Sequence, residues 1–281
     1  MAAILFGLLA AAFYGAADFC GGLAARRTAV FAVTIISQLA GLLALLLILV
    51  FTHWRLAPSD LLYGVLAGIC AGGGLALFYH ALAVGRMGVV SPITAVLASA
   101  VPVIASLAHG EHLRLTQFGG MLIALVAIVL IAASFEEGQG GGKREIATEG
   151  VREALVAGVV IGGFILFLSR AQPASGLAIL LPARTASVLV LLATAAALRG
   201  TVRPRIDVLP LIVICGVLDM AANAFFVLSA RAGYVSIAAV LTGLYPASTV
   251  LLALILLRER LQRVQQLGVV LALAGVALIA A

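Results

Sequence analysis

The sequence predicts an all-α integral membrane protein, with ten transmembrane helices arranged as two inverted-topology five-helix repeats. Three observations carry that expectation. Of 281 residues, 64% are hydrophobic and only 10% charged, against about 25% charged in an ordinary soluble domain. The apolar residues gather into runs of roughly 20, the length a helix needs to cross the bilayer hydrocarbon. The second half of the chain also repeats landmarks of the first.

The runs place helices near 2–25, 29–51, 60–84, 88–108 and 116–134, and again near 152–170, 174–198, 208–230, 235–257 and 263–281. Their connections are short, with one exception. Residues 135–151, FEEGQGGGKREIATEGV, are glycine-rich and charged and read as a flexible linker. Residues 1–134 are then the first five-helix repeat and 152–281 the second. Arg86-Met87-Gly88-Val89-Val90-Ser91 matches Arg231-Ala232-Gly233-Tyr234-Val235-Ser236 at an offset of 145, and Pro102 matches Pro246 at 144. Glu111-His112-Leu113 matches Glu259-Arg260-Leu261, and Gln117 and Gly120 match Gln265 and Gly268, all at 148. Five is an odd number, so equivalent halves must enter the membrane upside down relative to each other. Secondary transporters recur in this design, with the substrate site near the midplane between the repeats.

The net charge of +6 and pI near 9.8 do not point to nucleic acid, because the basic residues lie mostly in short connections between spans. Twelve Lys and Arg fall in loops on one side, and four (Arg55, Arg114, Arg170, Arg231) on the other. The positive-inside rule places both termini outside the cytoplasm on that count. The first segment lacks a basic start and carries Asp18 in its distal part, so it is expected to be retained as a helix. Cys20, Cys70 and Cys215 lie inside apolar runs and read as small packing residues rather than a disulfide framework. Trp54 and Tyr63 flank one loop as interfacial anchors. The expected location is the cell membrane, inner or plasma, as a multi-pass protein.

Asp219 is the sharpest signal. It sits at the centre of VLPLIVICGVLDMAANAFFVLSA, residues 208–230, where a carboxylate costs about 2.5–3.5 kcal/mol on insertion scales. Asn223 follows one turn later on the same face. Two readings stand side by side: a substrate- or proton-binding site, or a polar clamp in which Asp219 pairs with Arg184. Arg184 itself needs a carboxylate partner or an anionic substrate; if both charges face a cavity, a zwitterion such as an amino acid fits. Asp18 and Tyr14 share a face of the first helix, and Asp18 serves either the cavity or an interfacial salt bridge near Arg26. Tyr79 and His80 point in different directions, and each is a candidate for the cavity wall. Thr242 and Tyr245 join them beside Pro246. Pro92, Pro102, Pro182 and Pro246 are candidate gating or hinge positions, with Pro102 and Pro246 the repeat-related pair; static kinks are the alternative. Gly64, Gly68 and Gly72, and Gly158 and Gly162, form small-residue stripes suited to close helix packing.

Tyr14-Gly15, Arg184, Tyr245-Pro246, Glu259-Arg260-Leu261, Gly268 and Gly275 together resemble the EamA-type transporters of the drug/metabolite transporter (DMT) superfamily. The resemblance covers essentially the whole chain. It implies an exporter or facilitator of small metabolites such as amino acids, amines or drugs. It also implies cytoplasmic termini, which runs against the charge count. Gln38 stands where family members often carry an arginine equivalent to Arg184. Asp18 resembles the first-helix acid of the small multidrug transporters.

The expected protein is therefore a secondary transporter working by alternating access, without cofactor or metal. A passive channel-like facilitator, a lipid-related flippase or a structural membrane protein is the alternative. An enzyme is not expected, because His53, His80, His109 and His112 show no zinc-type spacing within a span and the acids lie far apart. GQGGGKRE lacks the spacing and Ser/Thr of a phosphate loop, so a gradient must supply any energy. Expected partners are the bilayer and a small, zwitterionic or related substrate, with proton coupling an option, in a monomer or weak dimer.

Overall fold

The computed structural model describes residues 1–25, 27–52, 54–84, 87–132, 150–256 and 263–280. These residues form helices and short connections, with no strand among them. The first half contains α1 (Ala2–Ala25), α2 (Val30–Val50), α3 (Pro58–Val84), α4 (Met87–Ala108) and α5 (Leu115–Ala132). The second contains α6 (Val151–Leu168), α7 (Leu180–Ala197), α8 (Leu209–Ala232), α9 (Val235–Gly243), α10 (Tyr245–Leu256) and α11 (Arg263–Ala280). Among the described residues, seven helices are long and apolar enough to cross a membrane, and Ile93–Ala108, Leu115–Ile131 and Val235–Thr249 are shorter apolar stretches. Most of the linker and the Glu259-Arg260-Leu261 corner lie outside the described residues.

Two elements differ from expectation. The helix anticipated at 174–198 begins only at Leu180, after a single 3-10 turn, Pro173–Ser175. Gly176 breaks the run there, with a left-handed φ of 55° that residues with a Cβ seldom adopt. The helix anticipated at 235–257 is broken at Leu244, between α9 and α10. Pro246 has no N–H to continue the α-helical ladder, and the backbone tightens instead: Leu244 N–H donates to Leu241 O at 3.2 Å and Ala247 N–H to Leu244 O at 2.9 Å. By contrast, α4 continues through Pro102.

The halves interleave. Helix α1 packs on α8, α9 and α10, as α6 packs on α3 and α4; α2 meets α8 as α7 meets α3; α5 lies along α11. Small residues set these approaches. Gly64, Gly68 and Gly72 face Pro182, Ala183 and Val190 of α7, and Gly158 and Gly162 face Thr94, Leu97 and Val101 of α4. In lipid no hydrophobic drive pulls helices together, so close backbone packing of this kind supplies much of the association.

Connections on the two sides add polar ties. The Glu111 carboxylate, beyond the end of α4, accepts from Val235 N–H (2.8 Å), Ser236 N–H (3.3 Å) and the Ser236 hydroxyl. It caps the start of α9, where free amides and the helix dipole favour an anion. Elsewhere, Gln172 N–H donates to Asp60 Oδ2 at 2.9 Å and Ser175 Oγ donates to Arg55 O at 2.9 Å, joining the α2–α3 and α6–α7 connections.

One of the close helix approaches yields a stability prediction. A Cβ on Gly216 of α8 would lie 2.8 Å from the Ser37 backbone carbons of α2, whereas one on Gly73 meets nothing within 4 Å. Gly216→Ala should therefore lower the melting temperature in detergent, with an overpacking cost of about 1–3 kcal/mol. Gly73→Ala should match or slightly exceed wild type. Equal melting of the two variants would contradict the packing account.

Candidate functional site

A cavity of about 220 Å³ opens where α1, α2, α7 and α8 meet α3, α4, α6 and α9. Its polar side is one connected network. The Tyr14 hydroxyl on α1 donates to Asn223 Oδ1 on α8 at 2.9 Å. Asn223 Nδ2 donates in turn to the Asp219 carbonyl at 2.7 Å and to Asp219 Oδ2 at 3.3 Å, one helical turn back. Arg184 on α7 closes an ion pair with Asp219 at 2.6 Å and also donates to Gln38 Oε1 on α2. Four helices are thus tied by one chain of hydrogen bonds.

Local structure places each member. Asp219 lies near the middle of α8, and the i, i+4 spacing stacks Asn223 on it. Arg184 follows Pro182 in the first turns of α7, where its side chain is only 6% exposed. Beside it Gly41 lets α2 approach α8, since a Cβ there would lie 2.8 Å from the Gly216 carbonyl oxygen. Asp219 is 29% exposed, toward the cavity. A buried ion pair gains most when remaining donors are also met, and Gln38 does that for the guanidinium.

Apolar and aromatic residues make up much of the remaining lining: Phe78, Phe164 and Phe226, with Ile161, Ile165 and Leu75. Tyr245 stands at the polar border, its ring 6.4 Å from that of Tyr14 and edge-on to it. Ser187 and Thr242 line the wall with buried hydroxyls that have no partner among the described residues. Asp18, one turn beyond Tyr14 on α1, is exposed and also lines the cavity.

The structure therefore gathers Asp219, Asn223, Arg184, Tyr14, Asp18, Tyr245 and Thr242 around one space. Asp219 and Arg184 both face it and are paired with each other. His80 is exposed and does not line it. The side chains of Tyr79 and Pro92 lie outside the described residues. Pro246 follows the α9–α10 break beside the cavity, Pro182 packs on Gly64, and Pro102 is buried in α4. Sequence reasoning passed over Gln38 as a partner of Arg184, together with Ser187 and the three phenylalanines. For Gln38 a signal existed, because a polar residue in an apolar helix at the repeat counterpart of an arginine is itself unusual.

Fold and site together define a polytopic helical membrane protein with a charged, aromatic-walled cavity at the junction of its halves. The chain belongs to the EamA-like transporter family, whose sequence profile matches residues 1–133 and 150–281. Membership makes it a membrane transporter of the drug/metabolite type. An uncharacterized protein of Methanocaldococcus jannaschii is 25% identical over 133 residues, which is 97% of that protein but 47% of this chain. That relative is thus about the size of a single repeat. A solved structure, titled only as the crystal structure of a protein, superposes with a TM-score of 0.78 at 16% identity, over 98% of this chain and 95% of the other. The likeness at that identity is one of fold.

The ion pair carries a measurable consequence. Arg184→Met leaves the Asp219 carboxylate uncompensated, a change that costs about 3–5 kcal/mol for a buried pair; 29% exposure of Asp219 puts this one toward the lower end. Arg184→Met with Asp219→Leu removes both charges and should recover most of the loss. Thermal unfolding of the two single variants and the double variant in detergent measures the coupling, and strict additivity would show that the pair contributes nothing.

Proposed function

We propose that the protein is a secondary transporter, an exporter or facilitator of small metabolites in the cell membrane. It works by alternating access, with ten spans arranged as two inverted repeats around the cavity. The observation that carries this reading is a set of contacts between repeat-equivalent positions. Gln38 and Arg184, 146 residues apart, hydrogen-bond to each other. Ser99 meets Gly243, at the offset of 144 that also relates Pro102 to Pro246. Gly120 packs on Ile279 and Gly268 packs on Ile131, an exchange in which both pairs are related by the offset of 148. A residue touches its own equivalent only on a two-fold axis, and reciprocal pairs flank such an axis. These contacts support a pseudo-two-fold axis running by the cavity, the position at which inverted-repeat carriers bind substrate.

The cavity supports transport rather than mere packing because its network belongs to both halves at once. Movement of α7 against α2 and α8 must rearrange Gln38–Arg184 and Arg184–Asp219, so an occupant that touches this network is placed to bias the two states. The break at Leu244, next to the cavity residue Thr242, supplies a place for α9 and α10 to bend.

Reconstitution tests this reading. Wild type in liposomes should take up amino acids or amines, with accumulation depending on a pH gradient if protons are coupled. Asp219→Asn should lose accumulation by at least tenfold, because the substitution removes one partner of the ion pair that joins α7 to α8. Normal transport by the variant would reduce Asp219 to a packing residue; absence of any flux by wild type would remove the transporter reading of the cavity.

A further inference from the structure

We infer that the cavity selects a small monoamine with an apolar or aromatic body, its ammonium held at Asp18, and that it disfavours carboxylate-bearing solutes; the inference rests on the transporter reading above. Among the described residues, three permanently or ordinarily charged side chains line the cavity: Asp18, Arg184 and Asp219. Arg184 and Asp219 neutralise each other at 2.6 Å. One guanidinium against two carboxylates leaves Asp18 as the carboxyl group with no cation opposite it.

The two carboxylates are not equivalent. Asp219 receives Arg184 and Asn223, and Asn223 is itself held by Tyr14. For Asp18, no ion pair or hydrogen bond is formed among the described residues, and its side chain is exposed while that of its neighbour Ala17 is buried. A cation entering the cavity meets an open carboxylate at Asp18 and a satisfied one at Asp219. A carboxylate entering it meets Arg184, already engaged by Asp219 and Gln38 and 6% exposed. Binding an amino acid through Arg184 would require breaking that pair in the interior, where an unpaired charge is costly. The arrangement that would suit a zwitterion, with both charges free, is absent among the described residues.

Shape and lining complete the class. Sites for drug-sized ligands run roughly 300–1,000 Å³, so a cavity of about 220 Å³ takes a smaller body. Phe78, Phe164 and Phe226 present rings to it, with Tyr14 and Tyr245 beside Asp18 on the polar border. Aromatic faces attract ammonium groups where water is excluded, and they accept an apolar substituent equally well. A single positive charge matched to the single free carboxylate, on a compact apolar body, satisfies all of these features.

Three matched probes test the inference in purified, reconstituted protein: 2-phenylethylamine, phenylalanine and 2-phenylethanol. They share one ring and differ in charge. Competition binding to wild type should rank the amine at least tenfold above both others. Asp18→Asn should lose at least tenfold in amine affinity, and Asp18→Glu should restore most of it. If Asp18→Asn does not fold, as judged by gel filtration and melting, the wild-type ranking and Asp18→Glu decide alone. Phenylalanine equal to or stronger than the amine, amine affinity within twofold of wild type in a folded Asp18→Asn, or no binding of any probe would each overturn the substrate class. Uptake separates this from the transporter reading. Amine that binds but never crosses sealed liposomes sinks transport and leaves the class standing, whereas phenylalanine uptake without amine binding sinks the class and leaves transport standing.

Discussion

Inside a bilayer, water is not available to satisfy a stray charge, so a carboxylate at mid-helix must find its partners within the protein. Asp219 imposes that requirement on this structure, and much of the architecture around it answers the demand. Arg184 has to come from α7, Asn223 from one turn along α8, and the flanking groups Gln38 and Tyr14 from α2 and α1. Side chains of that length reach one another only if the helices nearly touch. Gly216 permits it by lying against the Ser37 backbone, one residue from Gln38. Gly41 does the same on α2, against the Gly216 carbonyl and beneath the Arg184 guanidinium. Small residues and the polar network are thus two parts of one device: the glycines set the distance at which the ion pair can form.

The same coupling explains what could be read from the sequence and what could not. Helix positions were legible because the bilayer forces long apolar runs, and eight of the ten expected segments begin and end within two residues of an observed helix. The exceptions are local backbone events, at Gly176 and Leu244, where a left-handed glycine and a proline two residues on interrupt patterns that remain apolar throughout. Hydropathy is blind to such a break because the side chains on both sides stay greasy. Asp219, Asn223, Arg184 and Tyr14 stood out for the opposite reason, as polar letters in apolar text. Their mutual contacts did not, since Tyr14 and Asn223 are 209 residues apart and Gln38 and Arg184 are 146 apart. A repeat announces which positions are equivalent; it does not announce which of them touch. The phenylalanines of the cavity wall were hidden altogether, because an aromatic residue facing a cavity and one facing lipid look alike in composition.

Where a residue does touch its own repeat equivalent, two copies of the same side chain would have to share one space. Identical halves fail at such a place, either by clash or by charge. Two arginines at positions 38 and 184 would face each other in an interior with one adjacent carboxylate, and their repulsion would go uncompensated. Gln38 instead accepts a hydrogen bond from Arg184, leaving the second arm of the guanidinium to Asp219. The Ser99 and Gly243 contact follows the same logic by volume, since a Cβ on Gly243 would collide with the serine hydroxyl. Divergence of the halves is therefore not drift away from a symmetric ideal at these positions. It is the condition for bringing the halves into contact.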